Sequence, residues 1–383
     1  MELMGSLRRL SDKGNLRPAP GTIRRIVVFH FGGVGDMILT TPALRALAKH
    51  YPNAKISFVG SHINHFQFLT RFPFIEDLKV FNIYPLDIRG VFHAGLWRSI
   101  AEIVRYLRRE PIDILINLHN PFLIDWWFLE FLVIALARPR ISAGINPSFM
   151  KGSIYDIWIS ESTLVGKHYK DFFLEVVGLL GVPAEQKDTE FPITEADHLS
   201  AGVIIKDLGL VPKELICLHP SGQESRRWPA EKFRELSLKF GREGREFLVI
   251  GTAADTDLSR IICQDNPHAT SLVGQTTLTQ TAAIIQRCRL FIGNDSGPFH
   301  LAVAVGTPSV ALIGGGPLSF HLYSGNGVKI IKNSVPCAPC RVRVCPDMQC
   351  MDNISVEDVV NACRHMLEES SGRDVPNLQP KEE

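Results

Sequence analysis

Four clusters of residues in this chain have the types and spacing that chemistry needs. The first is Gly32-Gly33-Val34-Gly35-Asp36, directly behind the apolar run at residues 26–30. Glycines after a strand let a ligand approach the backbone, and the helix start that follows attracts anions. Asp36 then sits at the mouth of the turn, as a proton acceptor or as a helix cap. A dinucleotide fingerprint would need glycine at position 38, where Ile38 stands. The next strand ends in Gly60-Ser61 with no acid for a ribose, and no Gly-Lys-Ser/Thr follows the turn, so a Walker loop is excluded too. The second cluster is Asn294-Asp295-Ser296-Gly297-Pro298-Phe299-His300. Asp295 and Ser296 fall where a helix begins, able to receive an anion or to cap, and His300 follows about one turn on as a ligand contact or a core residue. The third is His219-Pro220-Ser221-Gly222 followed by Arg226-Arg227-Trp228-Pro229. A small-residue turn with two guanidinium groups suits a diphosphate, because arginine grips phosphate with a planar fork; the alternative is an exposed basic turn.

The fourth cluster is Cys337-x2-Cys340-x4-Cys345-x4-Cys350, with Pro336, Pro339 and Pro346 interleaved. Four thiolates so close could hold Zn²⁺ or iron in a structural, fully ligated site. Free thiols and disulfides are the alternatives. The spacing matches a zinc knuckle with Cys in place of His, and knuckles bind single-stranded RNA. No aromatic residue lies between Cys337 and Cys350 to stack on a base, which speaks against that use. Cys217, Cys263, Cys288 and Cys363 lie in apolar-rich segments and read as reduced core thiols.

Strands and helices must position these groups. Apolar runs at residues 26–30, 55–60, 113–118, 215–218, 247–251, 290–293 and 309–313 read as buried parallel strands. Helical patterns at 37–50, 97–109, 231–240, 259–264 and 299–305 alternate with them. The order strand, glycine turn, helix opens near Arg25 and again near Leu215, so two doubly wound α/β halves are expected. The expected division is a disordered lead-in at 1–22, a first domain at 23–188 and a second at 189–369, with a linker near 189–196. The second domain would carry the cysteine cluster 337–350 and a terminal helix at 354–369, before a polar tail at 370–383.

Composition narrows the partners. The 383 residues are 45% hydrophobic and 21% charged, which fits a folded chain with ample cores and argues against disorder. The formal charge is +1, against a uniformly basic nucleic-acid binder, so no nucleic-acid partner is expected. That sum hides a step: residues 1–180 hold 21 basic and 15 acidic groups, and residues 181–383 hold 20 and 25. The N-terminus lacks the apolar core of a signal peptide, and a cytoplasmic protein is expected. The apolar stretch 122–136, interrupted by Asp125 and Glu130, is too short to span a bilayer. It reads as a buried helix, or as one whose Trp126, Trp127 and Phe128 dip into a membrane surface with Arg138 and Arg140 behind.

Taken together and in this order, the motifs Gly-Gly-x-Gly-Asp, His-Pro-Ser-Gly with Arg-Arg-Trp-Pro, and Asp-Ser-Gly-Pro-Phe-His-Leu-Ala through Gly-Thr-Pro resemble the ADP-heptose:lipopolysaccharide heptosyltransferases, glycosyltransferase family 9. Residues 295–308 are the most specific part. The resemblance implies a GT-B fold, two facing Rossmann-like domains with a cleft, the acceptor on the first and the sugar nucleotide on the second. It implies an inverting transfer of heptose from an ADP-heptose donor to a lipopolysaccharide core or related glycan acceptor, with no cofactor needed for catalysis. The general base would be Asp36 on the acceptor-side loop of Gly32, Gly33 and Gly35. Donor contacts would be Ser221, Gly222, Arg226, Asp255, Asp295, Ser296, Gly297 and His300. Arg226 stands where well-studied members have lysine, and Asp255 where they have glutamate, one methylene longer. A different sugar nucleotide or a protein acceptor remains open, as does peripheral contact with the inner membrane. Some relatives that modify autotransporters carry an iron-binding cysteine finger, which bears on Cys337, Cys340, Cys345 and Cys350.

Overall fold

A computed structural model of the protein describes residues 17–81, 92–119, 127–146, 153–164, 166–211, 214–316, 323, 327–340, 342 and 344–370. The expected lead-in and polar tail lie largely outside these residues, as do 122–126 of the apolar stretch. The chain divides into two compact units, Met1–Asp188 and Thr189–Glu383.

The first unit contains β1 (Arg25–Phe29), α1 (Val34–His50), β2 (Lys55–Gly60), β3 (Ile75–Val80), α2 (Ala94–Leu107), β4 (Ile114–Asn117), α3 (Trp127–Ala137), β5 (Ile141–Asn146), β6 (Ile157–Ser160) and α4 (Tyr169–Leu179). Its sheet is parallel in the order β3-β2-β1-β4-β5-β6. Val28 faces Phe58 on one side and Ile116 on the other. The second unit contains α5 (Glu195–Asp207), β7 (Leu215–His219), α6 (Ala230–Gly241), β8 (Glu246–Val249), α7 (Thr256–Cys263), β9 (Ala269–Ser271), α8 (Leu278–Arg287), β10 (Leu290–Asn294), α9 (Gly297–Ala304), β11 (Ser309–Ile313), β12 (Val328–Lys332) and α10 (Val356–Glu369). Its sheet runs β12-β11-β10-β7-β8-β9, the same winding repeated.

Parallel strands covered on both faces need continuous apolar runs, and every residue of β1, β4, β7, β10 and β11 is buried. Those central strands, with β2 and β8 beside them, are the ones readable in the sequence. The edge strands β3 and β12 are only half-buried and mix charge with apolar residues, as in Ile75-Glu76-Asp77-Leu78, so no run announces them. Strands β5, β6 and β9 and helices α4, α5 and α8 also went unread.

Helix α1 corrects the expected start: it begins at Val34, so Asp36 lies inside its first turn. It is buried through most of its length. Pro42 removes the amide that would bond the Ile38 carbonyl, and Thr41 Oγ1 supplies that bond instead at 2.8 Å. The expected linker near 189–196 runs into α5, whose Thr194 caps the helix in a box with Asp197. In α3, Leu129, Phe131, Val133 and Ile134 are buried with the α2 face, while Phe128 and Leu136 are exposed. Among the described residues no helix is long and apolar enough to cross a membrane.

Candidate functional site

In open parallel sheets, ligands bind beyond the carboxyl ends of the strands where the winding reverses. Those points are β1/β4 in the first unit and β7/β10 in the second.

At the first point β1 runs into His30-Phe31-Gly32-Gly33. The amide of Gly33 donates to Asp36 Oδ2 at 2.8 Å, so the half-buried carboxylate closes the first turn of α1. The glycine run is there for close packing. A Cβ on Gly32 would stand 2.5 Å from Asp36 Oδ2 and 2.7 Å from His30 Cε1. Gly33 has the same carboxylate 3.8 Å away, and Gly35 is buried inside α1. The Gly32 amide donates to His30 Nδ1 at 3.0 Å, and the carbonyl of Gly32 lies 3.3 Å from His65 Nδ1. The turn therefore holds one carboxylate among imidazoles.

At the second point several loops converge. Asn294, at the end of β10, donates through Nδ2 to the Pro220 carbonyl at 2.7 Å, and its Oδ1 accepts from the Trp228 amide at 3.0 Å. This buried side chain ties the β7 loop to the Arg-Arg-Trp segment. Ser221 Oγ donates to Asp255 Oδ1. Asp255 also accepts from the Thr252 amide at 2.8 Å, the arrangement seen at Asp36. Burial alone would raise the Asp255 carboxyl, but the bonds from Ser221 and Thr252 and the nearby His219 outweigh it and hold it below its ordinary value. Ser296 Oγ bonds His219 Nδ1 at 3.0 Å and the Asn294 carbonyl at 3.0 Å. Burial keeps His219 neutral, lowering it to about 4.

Arg226 reaches Asp295 Oδ2 through Nη1 at 3.3 Å and the Cys340 carbonyl through Nη2 at 3.2 Å. Its Nε is buried with no hydrogen-bond partner. Gly316 lies against the guanidinium: a Cβ there would stand 2.8 Å from Nη1. Gly222 has a φ of +140°, open to glycine, and a Cβ on it would meet the Asp295 carbonyl at 3.1 Å. Gly297 opens α9. Thus Ser221, Gly222, Arg226, Asp255, Asp295, Ser296 and Gly297 are brought together. His300 is paired elsewhere, its Nδ1 2.7 Å from Tyr323 Oη. His219, Asn294 and Thr252 belong to the cluster but were not singled out from sequence. Asn294 and His219 sat within the quoted motifs, and only their burial at strand ends gives them weight.

The cysteine cluster needs correction. Among the described residues no group of three or more His, Cys, Asp or Glu side chains is gathered to hold a metal. All eight cysteines are free. Each thiol has its own surroundings: Cys350 is buried in a short helix against Gly314, Cys340 faces Gly315, Cys345 Sγ donates to the Asp347 carbonyl at 3.1 Å, and Cys337 is exposed. A tetrahedral site does not fit this arrangement. The segment instead contributes main-chain carbonyls to the arginine loop. Val342 O accepts from Gln223 Nε2 and Ser225 Oγ, each at 2.6 Å, and Cys340 O accepts from Arg226.

Comparison with known proteins agrees with this layout. The profile of glycosyltransferase family 9 (heptosyltransferase) matches residues 148–351. Lipopolysaccharide heptosyltransferase 3 of Escherichia coli K12 is 26% identical over 350 residues, covering 88% of this chain and 96% of that protein. A solved glycosyltransferase family 9 structure from Veillonella parvula DSM 2008 superposes with a TM-score of 0.75 at 24% identity, over 92% of this chain and 99% of that one. The E. coli ADP-heptose lps heptosyltransferase II gives 0.69 at 19% identity, over 91% and 99%. With its two parallel six-stranded sheets, the chain belongs to glycosyltransferase family 9 and is a glycosyltransferase of the GT-B fold.

Proposed function

We propose that the protein transfers a heptose from ADP-heptose to a lipopolysaccharide core or related glycan acceptor, with inversion at the anomeric carbon. The observation that carries this reading is the convergence of Arg226, Asp295, Ser296 and Asp255 at the β7/β10 point. It occurs in a chain alignable over most of its length with a lipopolysaccharide heptosyltransferase. The second unit, 189–369, would bind the donor. Arg226 and the start of α9 at Ser296 and Gly297 would take the leaving diphosphate. Asp255 and Ser221 would hold donor hydroxyls, and His300 would line the same loop. The first unit, 23–188, would bind the acceptor, and Asp36 would take the proton of the attacking hydroxyl, a role worth roughly 10²–10⁴-fold in rate. No metal or cofactor enters this scheme.

The protein would work in the cytoplasm, at the inner face of the membrane that carries its acceptor. Among the described residues of the first unit, Phe92, which is 86% exposed, Trp97 in α2, Phe128 in α3 and Trp158 in β6 are the exposed aromatic side chains that peripheral contact would draw on.

Two experiments test the proposal. A thermal-shift screen with ADP-, GDP- and UDP-sugars should stabilise the protein with ADP-sugars alone; stabilisation by UDP- or GDP-sugars without ADP-sugars overturns the heptose donor. Asp36→Asn should abolish transfer while leaving the donor shift intact, and retained transfer would remove Asp36 as the base.

A further inference from the structure

Ser296 stands at the N-cap of α9, yet its side chain makes no bond to the helix amides. Its hydroxyl has one proton for two other contacts. Oγ lies 3.0 Å from the Asn294 carbonyl oxygen and 3.0 Å from His219 Nδ1. A carbonyl has no proton to give, and two oxygens at that distance need one between them, so Ser296 donates to Asn294. The proton of the second contact must then come from the imidazole. His219 is thereby held with Nδ1–H donating to Ser296 Oγ, whatever its charge. Above the ordinary histidine value of about 6.5 the ring carries one proton, and that proton is the one on Nδ1. Nε2 is left as a bare lone pair. Burial keeps the ring neutral further into acid, against the pull of Asp255.

His219 ends β7, at the point where the winding of the second sheet reverses. Among the described residues Nε2 has no hydrogen-bond partner, and unlike Arg226 Nε it is not sealed from solvent. The charged groups near the ring are Asp255 and Arg227. Arg227 is turned to the Gly222 carbonyl, which its Nε meets at 2.7 Å. Asp255 lies in the turn after β8, the strand paired with β7, and its two oxygens are oriented by Ser221 Oγ and the Thr252 amide. In Rossmann-like units an acid after the second strand hydrogen-bonds a ribose hydroxyl, and β8 is that strand in this unit. A lone pair on Nε2 accepts from O–H or N–H and repels phosphate oxygens, so this ring does not serve the diphosphate. What it and Asp255 can receive side by side is the pair of hydroxyls of one ribose.

We propose that His219 is a specificity-determining residue of the donor site: held by Ser296 as the Nδ1–H tautomer, it offers Nε2 beside Asp255 as the acceptor for a ribose hydroxyl, so that the site selects a ribonucleoside diphosphate over its deoxy counterpart. The ligand assignment rests on the sugar-nucleotide reading above; the tautomer does not. The same bonds commit the Ser296 hydroxyl within the fold, which leaves the diphosphate to Arg226 and to main-chain amides at the start of α9.

The test uses two substitutions that divide the imidazole between them. Asparagine places its amide nitrogen where Nδ1 stands and has no atom at Nε2. Glutamine reaches the Nε2 position with its amide oxygen and has no donor at Nδ1. In full-length protein at pH 8, ¹⁵N NMR should show His219 as the Nδ1–H tautomer, its signals assigned by their loss in His219→Asn. An Nε2–H tautomer overturns the proposal, with or without a ligand. Calorimetry with ADP, 2′-deoxy-ADP and 3′-deoxy-ADP is the second arm. The parent should bind ADP about tenfold more tightly than one of the two analogues. His219→Asn should keep the parent's Tm, lose about tenfold in ADP affinity, and bind ADP and that analogue alike. His219→Gln should lower Tm, because Ser296 loses its donor, yet still prefer ADP. A purely structural His219 predicts the reverse, with Asn the parent-like binder and Gln the weakened one, and that result overturns the role. So does equal binding of ADP and both analogues by the parent, a measurement that stands even if neither variant folds. A parent that binds no nucleoside diphosphate instead removes the sugar-nucleotide reading and the ribose contact with it, while the tautomer result remains.

Discussion

Asp36 and Asp255 are the same device used twice: an acid three residues into a turn, bonded at 2.8 Å to the amide that opens it. The motifs revealed Asp36, but Asp255 came only through family resemblance, because its strand ends in an ordinary Gly251-Thr252 turn. Glu130 was legible as an oddity, a charge within an apolar run. Its hydrogen-bond partners Asn117 and His119, with Tyr155 bonded to Asn117, are distant in sequence, so the network needed the fold. Packing at Gly32 predicts that Gly32→Ala displaces Asp36 or His30. Transfer should then fall toward the Asp36→Asn level while the ADP thermal shift persists. Arg226→Lys keeps the charge but cannot span Asp295 and the Cys340 carbonyl together. Calorimetry should find ADP binding weakened by about tenfold, the order expected when a charged hydrogen bond is lost. The buried His219 gives a pH signature. Its folded value of about 4 lies below the ordinary 6.5, so the unfolded chain binds the extra proton. Stability is full above about pH 6.5 and falls as pH drops toward 4. His219→Gln should flatten that slope by up to one proton in denaturant titrations at pH 5 and 7. His30 and His119 act in the same direction, so part of the slope will remain.

Among the elements, most central strands were readable because burial on both faces favours an unbroken apolar run; β5 is fully buried but its small and polar Ser142, Gly144 and Asn146 break the run, and the edge strands were unreadable because solvent on one side relaxes the demand. The helix capped by Asp36 was placed three residues late, since the glycines suggested a turn although Val34 and Gly35 already take helical geometry. Trp228 shows how elements are pinned together. It is 1% exposed, its amide is held by Asn294 and its indole N–H donates to the Ile354 carbonyl at 2.9 Å, just ahead of α10. Trp228→Ala should cost about 3–5 kcal/mol in chemical denaturation. Loosening of α10 should appear in the same variant as faster amide exchange across residues 356–369.

At the scale of the whole molecule, the second sheet repeats the first strand for strand, and sequence foretold this through two restarts of strand, glycine turn and helix. The charge step between the halves was visible too, yet the cluster proposed to take the diphosphate sits in the more acidic half. Local guanidinium and amide groups therefore have to outweigh net charge there. ADP should slow amide exchange in the loops after β7, β8 and β10 and leave the Gly32 turn unchanged. Exhaustive chelation should leave Tm unchanged, because the cysteines gather no metal site. Spacing along the chain suggested a metal site there, but it says nothing of the glycines and carbonyls against which the individual thiols pack. Since Ser225 and Gln223 grip the cysteine-bearing segment by the carbonyl oxygen of Val342, whose own side chain is exposed, the identity of that side chain matters little. In a library scanning this segment, most replacements of Val342 should be tolerated, while a single inserted or deleted residue should disable the enzyme. Selection on this segment would then act on its length before the identity of residue 342.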